Sequence, residues 1–224
     1  MAPISRLFLF LTLFSFFSCK NLTTDKIVEG TIEYEISYPF PEETTISAEL
    51  MPKTLTYQFK EGYTLSTIAA SMGVFNTYII TDREKKKITQ GLSIMGKKYK
   101  VEFDKDKIAE MVGMEPKMNI QLTEDTKMIA GYKCKKAICT FPDTTLPALE
   151  VFYTNDIMQE KANWYSTYQE IDGVLMEFYI KRYDIHMKLT AKNVLKVPVD
   201  NKVFQLEGDY KTVSAAEMDS YFKI

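Results

Sequence analysis

The sequence has few of the residues on which most catalytic and metal sites depend. Its 224 residues include one histidine, three cysteines and one tryptophan. So little histidine argues against most metal centres and most histidine-dependent acid–base catalysis. The spacings of glycine-rich phosphate loops, nucleophile elbows, zinc-protease helices and calcium loops do not occur. The near balance of 28 basic and 30 acidic residues argues against nucleic-acid binding. We therefore expect no enzymatic activity, no cofactor and no metal, with a hydrolase as the weakest alternative.

Glycine and proline are also scarce, at 9 and 8 residues, which excludes a collagen-like or low-complexity chain. Apolar residues make up 46% of the sequence and charged residues 26%, as in a soluble globular protein. The 14 tyrosines and 14 phenylalanines favour β-strands.

The amino terminus has the pattern of an export signal. Arg6 precedes an apolar run, Leu7 to Phe17, that is too short for a membrane span of about 20 residues. Ser18-Cys19 at its end resembles the lipobox of bacterial lipoproteins, which implies cleavage before Cys19 and lipidation of its thiol. The alternative is an ordinary signal peptide with a cysteine at its cleavage site.

These features divide the chain into a signal peptide (1–18), a lipidated cysteine with a polar tether (19–26) and a single domain (27–224). Lys20 follows the cysteine where some inner-membrane lipoproteins have Asp, and no acidic run follows. Both features predict a protein anchored to the outer membrane and facing the periplasm.

Two-residue alternation dominates the remainder. Ile32, Tyr34 and Ile36 share one face of a predicted strand, and Glu33 and Glu35 share the other. Further strands are predicted at 55–59, 63–67, 74–81, 87–95, 98–103, 118–122, 127–140, 149–154, 174–183 and 185–195, and Glu61-Gly62 is predicted to be a turn.

Two helices are predicted beside these strands. Asp104 is a suitable N-cap for the first helix, in which Ile108, Met111 and Val112 form one apolar stripe and Gly113 marks the end. The second helix follows the capping-box spacing of Ser214 and Glu217.

The two remaining cysteines, Cys134 and Cys139, are expected to be free. Five residues of extended chain span about 16 Å and place the side chains on opposite faces, whereas a disulfide needs Cα atoms within about 7 Å. We expect both thiols to pack as small apolar groups.

Three segments together resemble a known family: Ile129–Ala137 with its GYKCKKA motif, Phe152–Ile157, and Asp172–Phe178. They are similar to uncharacterised bacterial envelope proteins related to the GLPGLI family and to the LolA/LolB-like lipoprotein carriers. The resemblance implies a mainly antiparallel β fold with a few helices, arranged as a curved, unclosed half-barrel with the helices on its concave face. In the carriers, the space between sheet and helices binds acyl chains.

We accordingly expect a non-enzymatic protein that binds a lipid or another apolar ligand in a half-barrel cavity. The candidate lining residues are large, apolar or aromatic: Tyr34, Tyr57, Met111, Met114, Trp164, Met176 and Phe178. The alternative is a sensor or scaffold module that binds an envelope protein through its sheet.

The anchor can be tested at Cys19. Cys19→Ala should abolish incorporation of labelled palmitate and leave the protein either uncleaved or released in soluble form, because stable anchoring requires acyl chains on this residue. Wild-type protein that incorporates no label and fractionates as soluble would contradict the prediction.

Overall fold

A computed structural model describes residues 26–39, 51–69, 75–182 and 185–222. The predicted signal peptide and Cys19 lie outside these residues. No helix in the described ranges is long and apolar enough to cross a membrane.

The described chain consists mainly of strands. They are β1 (Glu29–Ser37), β2 (Thr54–Lys60), β3 (Tyr63–Ala69), β4 (Phe75–Asp82), β5 (Lys87–Ile94), β6 (Lys97–Phe103), β7 (Asn119–Ile129), β8 (Tyr132–Thr140), β9 (Leu149–Thr154), β10 (Val174–Arg182), β11 (Ile185–Leu195) and β12 (Lys211–Thr212). Helix α1 (Lys105–Met114) follows β6, a 3₁₀ turn (Asn201–Phe204) follows β11, and helix α2 (Ala215–Ser220) follows β12.

All twelve strands belong to one sheet, in the order β12-β6-β5-β4-β3-β2-β1-β11-β10-β9-β8-β7. The chain winds outward from β1 to β6, crosses through α1 to the opposite edge, and returns from β7 to β11 beside β1. Neighbouring strands are antiparallel except for β12 beside β6. Because β12 and β7 lie at opposite ends of this order, the sheet is open, and the predicted antiparallel, unclosed fold is confirmed.

The alternation predicted for the first strand is also confirmed. Ile32, Tyr34 and Ile36 are buried, whereas Glu33 and Glu35 are exposed. Residues directly opposite one another in an antiparallel pair project to the same side. The side defined by Ile32 therefore continues through Tyr57, Ser66, Ile79 and Gln90, which are paired in turn across β1 to β5.

This side of the sheet is concave. Phe178, Ile180 and Arg182 alternate along β10 and share the side of Ile36, because Phe178 pairs with Leu189 and Leu189 with Ile36. Arg182 Nη2 donates to Gln90 Oε1 at 3.4 Å. Six strand spacings separate β10 from β5, or about 29 Å in a flat sheet. Side chains can meet over that separation only if the sheet curves around them.

Both helices pack on the concave face, as the half-barrel prediction requires. Ile108 of α1 and Met218 of α2 are buried against Leu92, Val101 and Phe103, which belong to this side of β5 and β6. Asp104 caps α1 by accepting a hydrogen bond from the backbone N–H of Lys107, as predicted. The helix continues one residue past Gly113, to Met114.

Part of the convex face is covered by the segment around the 3₁₀ turn, which we did not predict. Val199 and Phe204 are buried against Leu65 and Ile80 of β3 and β4. This segment shields apolar side chains that project away from the half-barrel.

The prediction of a single strand over 127–140 is wrong. The chain turns at Ala130-Gly131, where both residues adopt positive φ angles of 48° and 82°, and β7 then pairs with β8 as a hairpin. Two residues of left-handed backbone match the twist of the flanking strands. The predicted turn at Glu61-Gly62 has the same geometry, with φ angles of 49° and 86°, and is confirmed.

Both cysteines of β8 are free and fully buried, which confirms the prediction for them. They belong to different apolar clusters, Cys134 beside Phe152 and Cys139 beside Val151.

A buried carboxylate lies on the face of the sheet opposite Phe178, between β7 and β11. β7 and β11 are four places apart in the sheet, about 19 Å if it were flat, yet Cα atoms of the two strands approach within 8 Å. Glu177 of β10, whose side chain is 7% exposed, accepts hydrogen bonds at 3.0 Å from Lys127 of β7 and Lys188 of β11. Burial alone would raise the pKa of Glu177, but the two lysines outweigh it and lower that pKa.

Glu177→Gln should reduce the free energy of unfolding at pH 7 by about 1–3 kcal/mol, since it removes hydrogen bonds between charged groups. A lowered folded-state pKa means that the stabilisation is complete above the unfolded pKa of about 4.3 and is lost as the pH falls through the folded pKa. The difference in urea unfolding between wild type and variant should therefore be smaller at pH 3 than at pH 7.

Glu35→Gln is a suitable control, because Glu35 also pairs with a lysine, Lys192, but its side chain is 57% exposed. Its effect should be much smaller. An equal loss of stability in Glu177→Gln at both pH values would show that the ion pair is not the cause.

Candidate functional site

The concave face combines apolar side chains with a few polar groups. The row that crosses it from β1 to β5 consists of Ile32, Tyr57, Ser66, Ile79 and Gln90 in turn. Nearby, Thr64 and Thr81 hydroxyls hydrogen-bond at 2.7 Å and are almost fully buried. A concave apolar surface with a few convergent polar groups is typical of a small-molecule site.

Four of the seven predicted lining residues lie together on or beside this face. The Tyr34 ring contacts the rings of Tyr57 and Phe178 edge to face, with centroids 6.5 and 5.8 Å apart. Met176, fully buried, belongs to the same cluster. Tyr34 also donates a hydrogen bond from its hydroxyl to the Leu175 carbonyl at 2.7 Å, across the sheet from β1 to β10.

The other three candidates lie elsewhere. Met111, on α1, and Trp164 are half-buried against the apolar cluster that the two helices form with β5 and β6. Met114 is 69% exposed at the end of α1 and belongs neither to the cluster around Tyr34 nor to the cluster beneath the helices. The chain becomes extended immediately after it, at Glu115, so the helix no longer holds this side chain against the sheet.

The tyrosine hydroxyls of the concave face remain protonated at neutral pH. Burial raises the pKa of Tyr165 to about 12, although a hydrogen bond with Thr64 acts in the opposite direction. Burial, reinforced by Tyr165, also holds the pKa values of Tyr34 and Tyr57 well above the ordinary range. These groups can donate hydrogen bonds to a ligand or to backbone carbonyls.

One end of the concave face is covered by residues 158–171, which link β9 to β10. The segment is a series of turns that sequence periodicity cannot detect. Asn163 holds it together by donating from its side-chain amide to the carbonyls of Ile171 and Gly173, at 2.8 and 2.9 Å. Trp164 and Tyr165 then project onto the cluster beneath the helices. We call this segment the cover.

Two cations from the turn between β4 and β5 hold the cover in place. Arg83 donates to the Glu160 carbonyl at 2.6 Å and forms an ion pair with its carboxylate at 3.2 Å. Lys86 lies 4.6 Å from the centroid of the Trp164 ring. Gln159 directly precedes Glu160, and its buried side-chain nitrogen has no hydrogen-bond partner among the described residues.

Among the described residues, the opposite end of the concave face is less covered. Beneath the cover, Ile32 and Phe59 are fully buried. Toward the end where β1 finishes, the concave residues Ile68, Phe75 and Ile180 are only half-buried. Within the part of the chain that the structure describes, the concave face therefore has a covered end and a less covered end, which we call the open end, and apolar surface is only half-buried at the open end.

Comparisons with known proteins add no assignment: no protein-family model matches the chain, and no curated protein matches it significantly. Within the described ranges, no group of three or more His, Cys, Asp and Glu side chains is placed to hold a metal ion.

Proposed function

We propose that the protein is a non-enzymatic envelope lipoprotein that binds a lipid or another apolar ligand on its concave face. In this proposal a lipid on Cys19 anchors it to the outer membrane, and the domain faces the periplasm. The family resemblance at the GYKCKKA motif supports this placement, as does the lipobox-like Ser18-Cys19.

The observation that carries the proposal is the unequal covering of the concave face. Ile68, Phe75 and Ile180 are half-buried at the open end, whereas Ile32 and Phe59 under the cover are fully buried. Water contact with such a surface is unfavourable, and an apolar ligand would remove it. A concave shape allows a chain-like ligand to contact the sheet on more than one side.

The energy available from such a site is sufficient for useful affinity. Each methylene transferred from water contributes about 0.8 kcal/mol. An acyl chain with about ten buried methylenes therefore gains about 8 kcal/mol, from which the cost of ordering the chain and losing its free motion is subtracted.

A second candidate is a scaffold that binds a protein strand along β7. In the described sheet, β7 is hydrogen-bonded to β8 alone, and Leu122 and Met128 are 53% and 64% exposed. An extended segment could add to this edge by backbone hydrogen bonds. The edge is bulged between Leu122 and Thr126, however, and a bulge interrupts such pairing.

Titration with a fluorescent acyl-chain probe tests ligand binding. The chain from Lys20 onward retains every described residue and should bind the probe saturably, with a change in the emission of the probe. Ile68→Gln should weaken binding about tenfold or more, because it places an amide on the apolar concave surface.

Thr67→Gln is the matched control, since Thr67 is the adjacent residue on the opposite face of β3 and is equally half-buried. It should bind the probe like wild type. Urea unfolding of both variants would confirm that they are folded. A folded wild-type protein without saturable binding would contradict the proposal and favour the scaffold.

A further inference from the structure

An arginine occupies the open end of the apolar concave face. Arg182 is the last residue of β10 and lies on the same side as Phe178 and Ile180. The preceding side chain, Lys181, projects to the opposite side and is exposed. The half-buried guanidinium of Arg182 is thus held next to apolar residues, where a charge is costly unless it is hydrogen-bonded or paired.

Gln90 provides one partner for this charge from across the half-barrel. Its side-chain oxygen accepts from Arg182 at 3.4 Å, and its residue is only 5% exposed. Arg182 has at least one further interaction. A guanidinium has five N–H donors and stays protonated at all relevant pH values, so an additional or replacing acceptor can be accommodated.

The charged side chains that the strands place on this face have one sign. At concave-facing strand positions of the described sheet from β6 across to β10, the charged residues are Arg182 and Lys97, and none is acidic. Lys97 stands at the same end of the sheet, at the start of β6, paired with Ile94. Both cations therefore border the open end, whereas the concave positions behind them are uncharged and mainly apolar.

We infer that the ligand is an anionic amphiphile, with its acyl chain on the concave face and its anionic head at Arg182. This inference rests on the proposed function and specifies its ligand class. The planar guanidinium can bind a carboxylate or phosphate through two parallel hydrogen bonds. The apolar surface at Ile180 and Ile68 would receive the first methylenes of the chain, directly behind the head.

The test is displacement of a neutral fluorescent acyl probe by three competitors: oleate, oleoyl lysophosphatidate and oleyl alcohol. All three share the 18-carbon chain of oleic acid and differ in the head group. Wild-type protein should bind at least one anionic competitor about tenfold more tightly than the alcohol, the factor expected from a charge-assisted hydrogen bond. The ratio of oleate to lysophosphatidate distinguishes a carboxylate head from a phosphate head.

Arg182→Gln should bring the anionic competitors to within about twofold of the alcohol, while affinity for the alcohol stays unchanged. Lys181→Gln removes the same charge from the opposite side of the strand and should keep the wild-type preference. If Arg182→Gln does not fold, Arg182→Lys, which keeps the charge, and a salt series on wild type provide the same test. The preference should survive in Arg182→Lys and decrease with salt.

The two proposals fail in different ways. Equal affinity of wild type for oleate, lysophosphatidate and the alcohol would overturn the anionic head at Arg182 and leave apolar binding intact. Preference retained in a folded Arg182→Gln variant would also overturn it. No binding of the neutral probe or the alcohol would overturn the proposed function itself.

Discussion

A large sheet that does not close leaves an apolar concave surface, and covering that surface is the constraint on which the structure depends. A closed barrel would bury its interior by itself, whereas here segments from elsewhere in the chain must do so. α1 and α2 cover the part formed by β5 and β6, and the cover shields the central strands. Each of these segments is short, and among the described residues they leave one end of the concave face less covered.

The accessible end gives a physical link between fold and proposed function. Glu177 and its two lysines join β7, β10 and β11 on the face opposite Phe178, and Arg83 and Lys86 hold the cover from the turn between β4 and β5. The stabilising contacts thus lie away from the open end, where Ile68 and Ile180 border Arg182. A ligand could enter there without breaking the buried clusters around Tyr34 and Leu92.

The strands were predictable because alternation is a local property, and Ile32, Tyr34 and Ile36 reveal a buried face without knowledge of their partners. Ala130-Gly131 was missed because alanine is a weak turn signal, although glycine at the second position matched the turn found at Glu61-Gly62. The cover has no periodicity, so the positions of Trp164 and Asn163 depend on tertiary contacts. Arg182 lay near the end of a predicted strand, 174–183, but its meeting with Gln90 depends on curvature across six strand spacings, which no local pattern encodes.

Native mass spectrometry of the full-length protein, extracted from membranes in a mild detergent, tests the central claim most directly. A ligand-binding half-barrel should retain a fraction of molecules with one additional amphiphile, beyond the mass of the protein and its own anchor. That added mass should be released by collisional activation before the protein unfolds. Two results together would contradict the account. The protein would be found only at the mass of the chain and its anchor, and its open end would show the same protection from hydrogen exchange with and without added lipid.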